Sequence, residues 1–126
     1  MNYRIEEYTE GGPARNATHS VAGGRSTFGK WFDDLDPGTA ARVDRYIRRM
    51  EAGNFGAAKA LRGGVYELRL YFGPGYRVYY GVDGKTLVIL LGGGDKRRQD
   101  ADINAAAERW KRYKKEKACN GPDARL

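Results

Sequence analysis

Two alternating stretches hold the side chains best suited to chemistry. Residues 65–72 set Val65, Glu67, Arg69 and Tyr71 against Tyr66, Leu68, Leu70 and Phe72. Residues 76–82 set Arg77 and Tyr79 against Tyr76, Val78, Tyr80 and Val82. A period of two belongs to a strand, and Gly73-Pro74-Gly75 between the stretches is a tight turn. Folding that hairpin puts Leu70 and Val78 on the core face. Glu67, Arg69, Tyr71, Arg77 and Tyr79 then share the opposite face. Lys59 and Arg62 lead into the first strand, and Lys96, Arg97 and Arg98 follow the third. The expected result is a concave basic floor with phenol rings interleaved. Guanidinium groups hold phosphate through paired hydrogen bonds, and aromatic rings stack on unpaired bases. The same alternation also fits a solvated outer face whose Glu67 and Arg69 charges meet only water.

Other chemistries lack their residues. One cysteine, Cys119, makes no internal disulfide, and with one histidine, His19, it leaves no Cys/His cluster for structural zinc; His19 lies in the 11–25 segment, so no Ser/His/Asp or Cys/His catalytic set is expected. Gly92-Gly93-Gly94-Asp95-Lys96 lacks the glycine spacing and the Ser or Thr of a phosphate-cradling P-loop. Asp33, Asp34 and Asp36 read as a helix end and the next helix's cap rather than as a metal cluster. Lys and Arg number 23 against 16 Asp and Glu, a formal charge of +7, with a pI near 9.6. That balance favours polyanionic partners: nucleic acid, an acidic protein or an anionic membrane surface. Mean hydropathy is −0.74, and no apolar run approaches the ~20 residues of a membrane span. The first residues lack the apolar core of a signal peptide. The expectation is a cytoplasmic, cofactor-free and metal-independent chain whose 126 residues form one domain.

These side chains need a scaffold. Residues 3–8 alternate as a short strand, and 11–25, poor in large apolar residues, read as a flexible insertion. Ser26 or Thr27 can cap a helix with Phe28, Trp31, Phe32 and Leu35 on one face. Asp36-Pro37 starts a second helix lined by Val43, Ile47 and Met50 and closed by Gly53, forming a helical hairpin with the first. Asp83-Gly84 marks a second β-turn, and 86–91 is continuously apolar, as in a strand covered on both sides. Gly92 to Arg98 reads as a basic glycine-rich loop. A last helix from Gln99 or Asp100 carries Ile103, Ala106, Trp110 and Tyr113 on one face, is stopped by Asn120-Gly121-Pro122, and leaves 119–126 as a tail. Its basic far half also suits a membrane surface, although Trp110 and Tyr113 favour docking onto the sheet. The fold class is α+β: helices on one face of a curved three-stranded antiparallel sheet, to which the first strand adds.

The motifs Asn54-Phe55-Gly56, Lys59, Gly64-Val65-Tyr66-Glu67-Leu68-Arg69, Gly73-Pro74-Gly75-Tyr76-Arg77-Val78-Tyr79-Tyr80 and Gly92-Gly93-Gly94-Asp95-Lys96, followed by Gln99 and Asp102-Ile103, resemble the addiction-module killer proteins. These are the phage Gp49-like, HigB-type branch of the RelE/ParE toxin superfamily. The resemblance runs from about residue 28 to 107. It implies a RelE-like fold and the toxin of a type II toxin–antitoxin system, neutralised by an antitoxin, commonly a helix-turn-helix protein from the adjacent gene. It also implies metal-free endonucleolytic cleavage of messenger RNA, usually on the ribosome. Arg77 stands where the family's strand arginine contacts the scissile phosphate, and Arg69 where related toxins place a second cation. Lys96 and Arg97 fall in the loop that carries a basic catalytic group. Three features depart from the family pattern: the long 11–25 segment, Arg97-Arg98 in place of a small Ser-Thr pair, and no match for the C-terminal tyrosine or histidine of some relatives.

Such cleavage uses the substrate's own 2′-hydroxyl as nucleophile and leaves a 2′,3′-cyclic phosphate and a 5′-hydroxyl. Arg77 and Arg69 would stabilise the added negative charge, and Lys96 would serve the leaving oxygen. Glu67 is either the base or the salt-bridge partner that holds Arg69. Lys59, Arg62, Tyr71, Tyr79, Arg97 and Arg98 would bind the nucleic acid. Two other readings remain open: a ParE-like gyrase poison without nuclease chemistry, and an inactive phage-derived nucleic-acid-binding protein.

Overall fold

A computed structural model describes residues 2–10, 12–16 and 26–120. Strands β1 (Arg4–Thr9) and β2 (Gly12–Asn16) precede helices α1 (Thr27–Asp33) and α2 (Pro37–Glu51). Strands β3 (Ala58–Ala60), β4 (Tyr66–Leu70), β5 (Tyr76–Asp83) and β6 (Leu87–Gly94) follow, and α3 (Gln99–Asn120) ends the described chain. Short 3-10 helices occupy Arg62–Gly64 and Lys96–Arg98.

The strands form one sheet in the order β2-β1-β6-β5-β4-β3. Strand β1 runs parallel to β6, and every other neighbour is antiparallel. The sheet therefore has six strands, where three plus the first were expected. Strand β3 is only three residues long, too short to show a period. Strand β2 lies inside the stretch expected to be a flexible insertion, and it pairs with β1 although the sequence there has no apolar alternation. The rest of that expected insertion, with His19, lies outside the described residues, as does the chain beyond Asn120.

Local signals set the helices. The Ser26 hydroxyl accepts from the Gly29 N–H at 2.9 Å, and Asp36 accepts from the Thr39 N–H at 3.0 Å with Pro37 at the first helical position. Each such cap stabilises its helix by about 1 kcal/mol. Helices α1 and α2 cover one face of the sheet. There Phe28, Val43, Ile47 and Met50 meet Ile5, Leu68, Leu70, Val78, Tyr80, Val88 and Leu90 in one core.

Helix α3 covers the opposite face. Ala106 and Trp110 join Tyr8, Val65, Tyr79, Ile89 and Leu91 in a second core. Helices thus lie on both faces, not on one. The even and odd residues of β6 enter different cores, which accounts for its continuously apolar run. Gly92, Gly93 and Gly94 belong to β6 and not to a loop. A Cβ on Gly93 would overlap the Trp31 indole, so the missing side chain lets α1 sit on the strand.

Candidate functional site

Register places the cations side by side. Arg69 of β4 lies directly opposite Arg77 of β5, which lies opposite Gly94 of β6; Glu67 is opposite Tyr79. Arg77 is therefore flanked by a guanidinium on one strand and by a residue without a side chain on the other. The Asp102 carboxylate of α3 fills the space over Gly94, where a Cβ would overlap it. That close approach seats the first turns of α3 against the strand ends and brings Gln99 over β4.

Glu67 is fully buried and holds three groups. Gln99 Nε2 donates to Glu67 Oε2 at 2.9 Å. Arg77 Nε forms an ion pair with the same oxygen at 3.1 Å, off the hydrogen-bonding direction. Arg69 Nε reaches Glu67 Oε1 at 3.4 Å. The hydrogen bond to Glu67, then one to Tyr71, hold the Arg69 guanidinium above the ordinary arginine range. Arg77 Nη1 also donates to the Gly75 carbonyl at 2.9 Å, which ties the guanidinium to the turn.

Above these groups lies an open groove of about 340 Å³, whose lining includes Arg69, Tyr71, Phe72, Tyr76 and Arg77. Positive φ at Gly73 (61°) and Gly75 (81°) permits the tight turn at its end. The Arg77 side chain is 9% exposed and that of Arg69 40%, so one cation is sunk in the floor and the other reaches toward solvent. Tyr71 is 73% exposed at the edge. The Cβ of Lys96 lies beside Gly75, across the turn from the Arg77 guanidinium. Arg97 Nη2 pairs with Asp95 Oδ2 at 2.9 Å, and that bond holds the Asp95 carboxyl below its usual range.

Glu67, Arg69, Arg77 and Lys96 thus gather at one end of the sheet, with Tyr71, Arg97 and Arg98 around them. The basic floor is not open as expected, because α3 lies over half of it. Tyr79 is 1% exposed in the second core, so its ring presents no face to a base; burial, and then the Glu67 charge, push its hydroxyl well up. Burial also raises the Asp102 carboxyl. Lys59 sits exposed on β3 opposite Glu67, and Arg62 lies exposed in the first 3-10 helix; neither lines the groove. Two contributors were not singled out from sequence as parts of the site, Gln99 and Asp102. Their signals were a place in the family motif and polarity in the first turns of a helix whose docking place was unknown.

The geometry limits the chemistry. A carboxylate with no exposed surface, sharing its oxygens among two guanidiniums and an amide, suits holding cations better than taking a proton from a molecule in the groove. Nitrogens of Arg69 and Arg77 at the groove suit an anion. Among the described residues, no three His, Cys, Asp or Glu gather as a metal site, and no helix is long and apolar enough to cross a membrane.

An uncharacterized protein of Haemophilus influenzae is 46% identical over 81 residues, which cover 64% of this chain and 82% of that relative. No solved structure matches. Residues 30–117, which contain every groove residue, match the family described as phage-derived protein Gp49-like. The chain belongs to that family, one of RelE/HigB-type toxin-like proteins associated with toxin–antitoxin systems.

Proposed function

We propose that this chain is, as a single domain, the toxin of a toxin–antitoxin pair, and that it cleaves messenger RNA in the cytoplasm, on ribosomes, by a metal-independent route. The observation that carries this reading is the buried Glu67 fixing Arg77 beneath a groove that Arg69 and Tyr71 also line. A phosphodiester in that groove would have its non-bridging oxygens against Arg77 and Arg69. The ribose 2′-oxygen attacks phosphorus, the bond to the 5′-oxygen breaks, and the cyclic phosphate and 5′-hydroxyl form. The 2′-proton leaves to water in the open groove, and Lys96 supplies a proton or its charge to the departing oxygen. Glu67 acts here as the group that positions Arg77, not as the base. Tyr71 stacks on an unpaired base, and Arg97 and Arg98 extend the positive field that draws in the polyanion. Lys59 and Arg62 are left to longer-range attraction. An acidic segment of an antitoxin, a helix-turn-helix protein from the adjacent gene, would neutralise the toxin by covering Arg69 and Arg77.

The test is cleavage of a defined messenger in a ribosome-containing translation mixture and of the same RNA free. Cleavage should leave cyclic phosphate ends, and on free RNA it should persist in EDTA. A single 2′-deoxy substitution at the cut site should stop it while binding stays nearly unchanged, because phosphate contacts supply most of the affinity. Cutting at the 2′-deoxy site, or 3′-hydroxyl ends, would reject the mechanism. Intact RNA with blocked DNA supercoiling would identify a gyrase poison instead.

A further inference from the structure

We infer that Gln99 is a positioning residue for the cleavage: its side-chain amide orients the buried Glu67 carboxylate and, through it, the Arg77 guanidinium. This rests on the nuclease reading of the groove. The last torsion of a glutamate side chain is broad and nearly two-fold, so burial alone does not set the plane of the Glu67 carboxylate. Its partners do. Arg77 Nε and Gln99 Nε2 share Oε2, at 3.1 and 2.9 Å, while Arg69 holds Oε1 only at 3.4 Å through a half-exposed side chain. The shortest of the three contacts is the neutral one. It comes from the first residue of α3, which Asp102 over Gly94 seats on the strand ends. The same residue follows the 3-10 helix that carries Lys96. One hydrogen bond therefore registers the two cations on either side of the turn, Arg77 from β5 and Lys96 from the segment before α3.

A misplacement of about 1 Å can cost on the order of 100-fold in rate. Gln99→Met keeps the length of the side chain and removes the donor. Its kcat should fall by about tenfold or more with KM within about threefold, since what is lost is alignment and not phosphate binding. Gln99→Glu gives a sharper signature. The new carboxyl would meet Glu67 Oε2, with Arg77, Arg69, Tyr79, Asp100 and Asp102 as ionisable neighbours and Lys59 opposite Glu67 on β3. Two carboxylates this close keep one proton between them, so one pKa is raised. At low pH the protonated Glu at 99 donates as the amide did. As pH rises the proton leaves, and the second charge repels Glu67 and competes for Arg77. The activity of Gln99→Glu relative to the unaltered protein should therefore fall with rising pH, a profile that a merely structural residue would not produce.

In the unaltered protein, NMR should show slowly exchanging Gln99 side-chain amide protons and an Arg77 Nε–H signal that moves in Gln99→Met. If both variants match the unaltered protein within about twofold at every pH, the inference fails and the nuclease reading stands. If the unaltered protein cuts no RNA, the nuclease reading fails, and the NMR signals alone decide whether Gln99 orients Arg77. A rapidly exchanging Gln99 amide overturns the inference even if the variants do not fold.

Discussion

Strands β4 and β5 show opposite characters on their two faces. Toward α1 and α2 they present Leu68, Leu70, Val78 and Tyr80, all buried in an apolar core. Toward α3 the residues in between, Glu67, Arg77 and Tyr79, are also buried but polar. The Tyr79 hydroxyl finds no hydrogen-bond partner among the described residues. Burying an apolar side chain contributes about 1.5–3 kcal/mol. A buried ion pair is often no better than apolar residues of the same size, because desolvation offsets the attraction. The first face therefore holds the sheet together. The second gives up part of that stability to aim one guanidinium at the groove.

The sharpest way to break this contrast is to treat both faces as if they were alike. Glu67→Ala should destabilise by about 3–5 kcal/mol, because it strands the buried Arg77 charge. Leu68→Ala, its neighbour on the other face, should cost a comparable ~2–5 kcal/mol through its cavity. Urea titration would not tell them apart, but activity per folded molecule would: Leu68→Ala keeps it and Glu67→Ala loses it. The double variant Glu67→Met/Arg77→Met separates the two roles further. It should match or exceed the unaltered protein in stability, by up to about 1–4 kcal/mol, and cut nothing. A double variant that is both destabilised and active would show the pair to be structural.

A smaller effect belongs to the groove's rim. Tyr71→Ala should leave stability unchanged, since the ring is 73% exposed. It should weaken binding of a short single-stranded RNA by about 1–3 kcal/mol if the ring stacks on a base. Unchanged affinity in a fluorescence titration would confine recognition to the cations.

The contrast between faces was half legible from sequence. Period two in β4 and β5 assigned each residue to its face, and Asp36-Pro37 and Ser26 announced both helix starts, because caps and alternation are local. What covers the polar face was not local. The docking of α3 depends on side chains passing over Gly92 and Gly94, and a glycine run reads equally well as a loop. Hence Tyr79 was expected to stack on a base, and Gln99 was read only as a motif residue and a helix start, although Tyr79 lies opposite Glu67 and Gln99 donates to its carboxylate. Strand β3 escaped notice because three residues carry no period.

The two ends of α3 extend the comparison, and the smallest predicted effect lies at the far one. There Tyr113 Oη donates to Asp83 Oδ2 at 2.6 Å, and Lys117 pairs with the same oxygen. Burial alone would raise the Asp83 carboxyl, but the hydrogen bonds from Lys117 and Tyr113 outweigh it and hold the group below its ordinary value. A depressed folded-state pKa gives stability that is present above the unfolded value near 4 and lost as pH falls through the folded one. Tyr113 behaves in the opposite sense. Burial, and then the hydrogen bond to Asp83, raise its hydroxyl, so its contribution holds below the unfolded pKa near 10 and is lost at higher pH. Asp83→Asn should thus flatten the acid limb of the stability–pH curve and soften the alkaline one. Because the Lys117 side chain is 56% exposed, solvent screening limits the loss at neutral pH to about 0.2–1 kcal/mol. Cleavage should not change, since Asp83 and Tyr113 lie at the opposite end of α3 from Gln99 and touch nothing in the groove. A drop in rate with Asp83→Asn at full folding would mean that the whole helix, and not its first turn alone, sets the angle of Arg77.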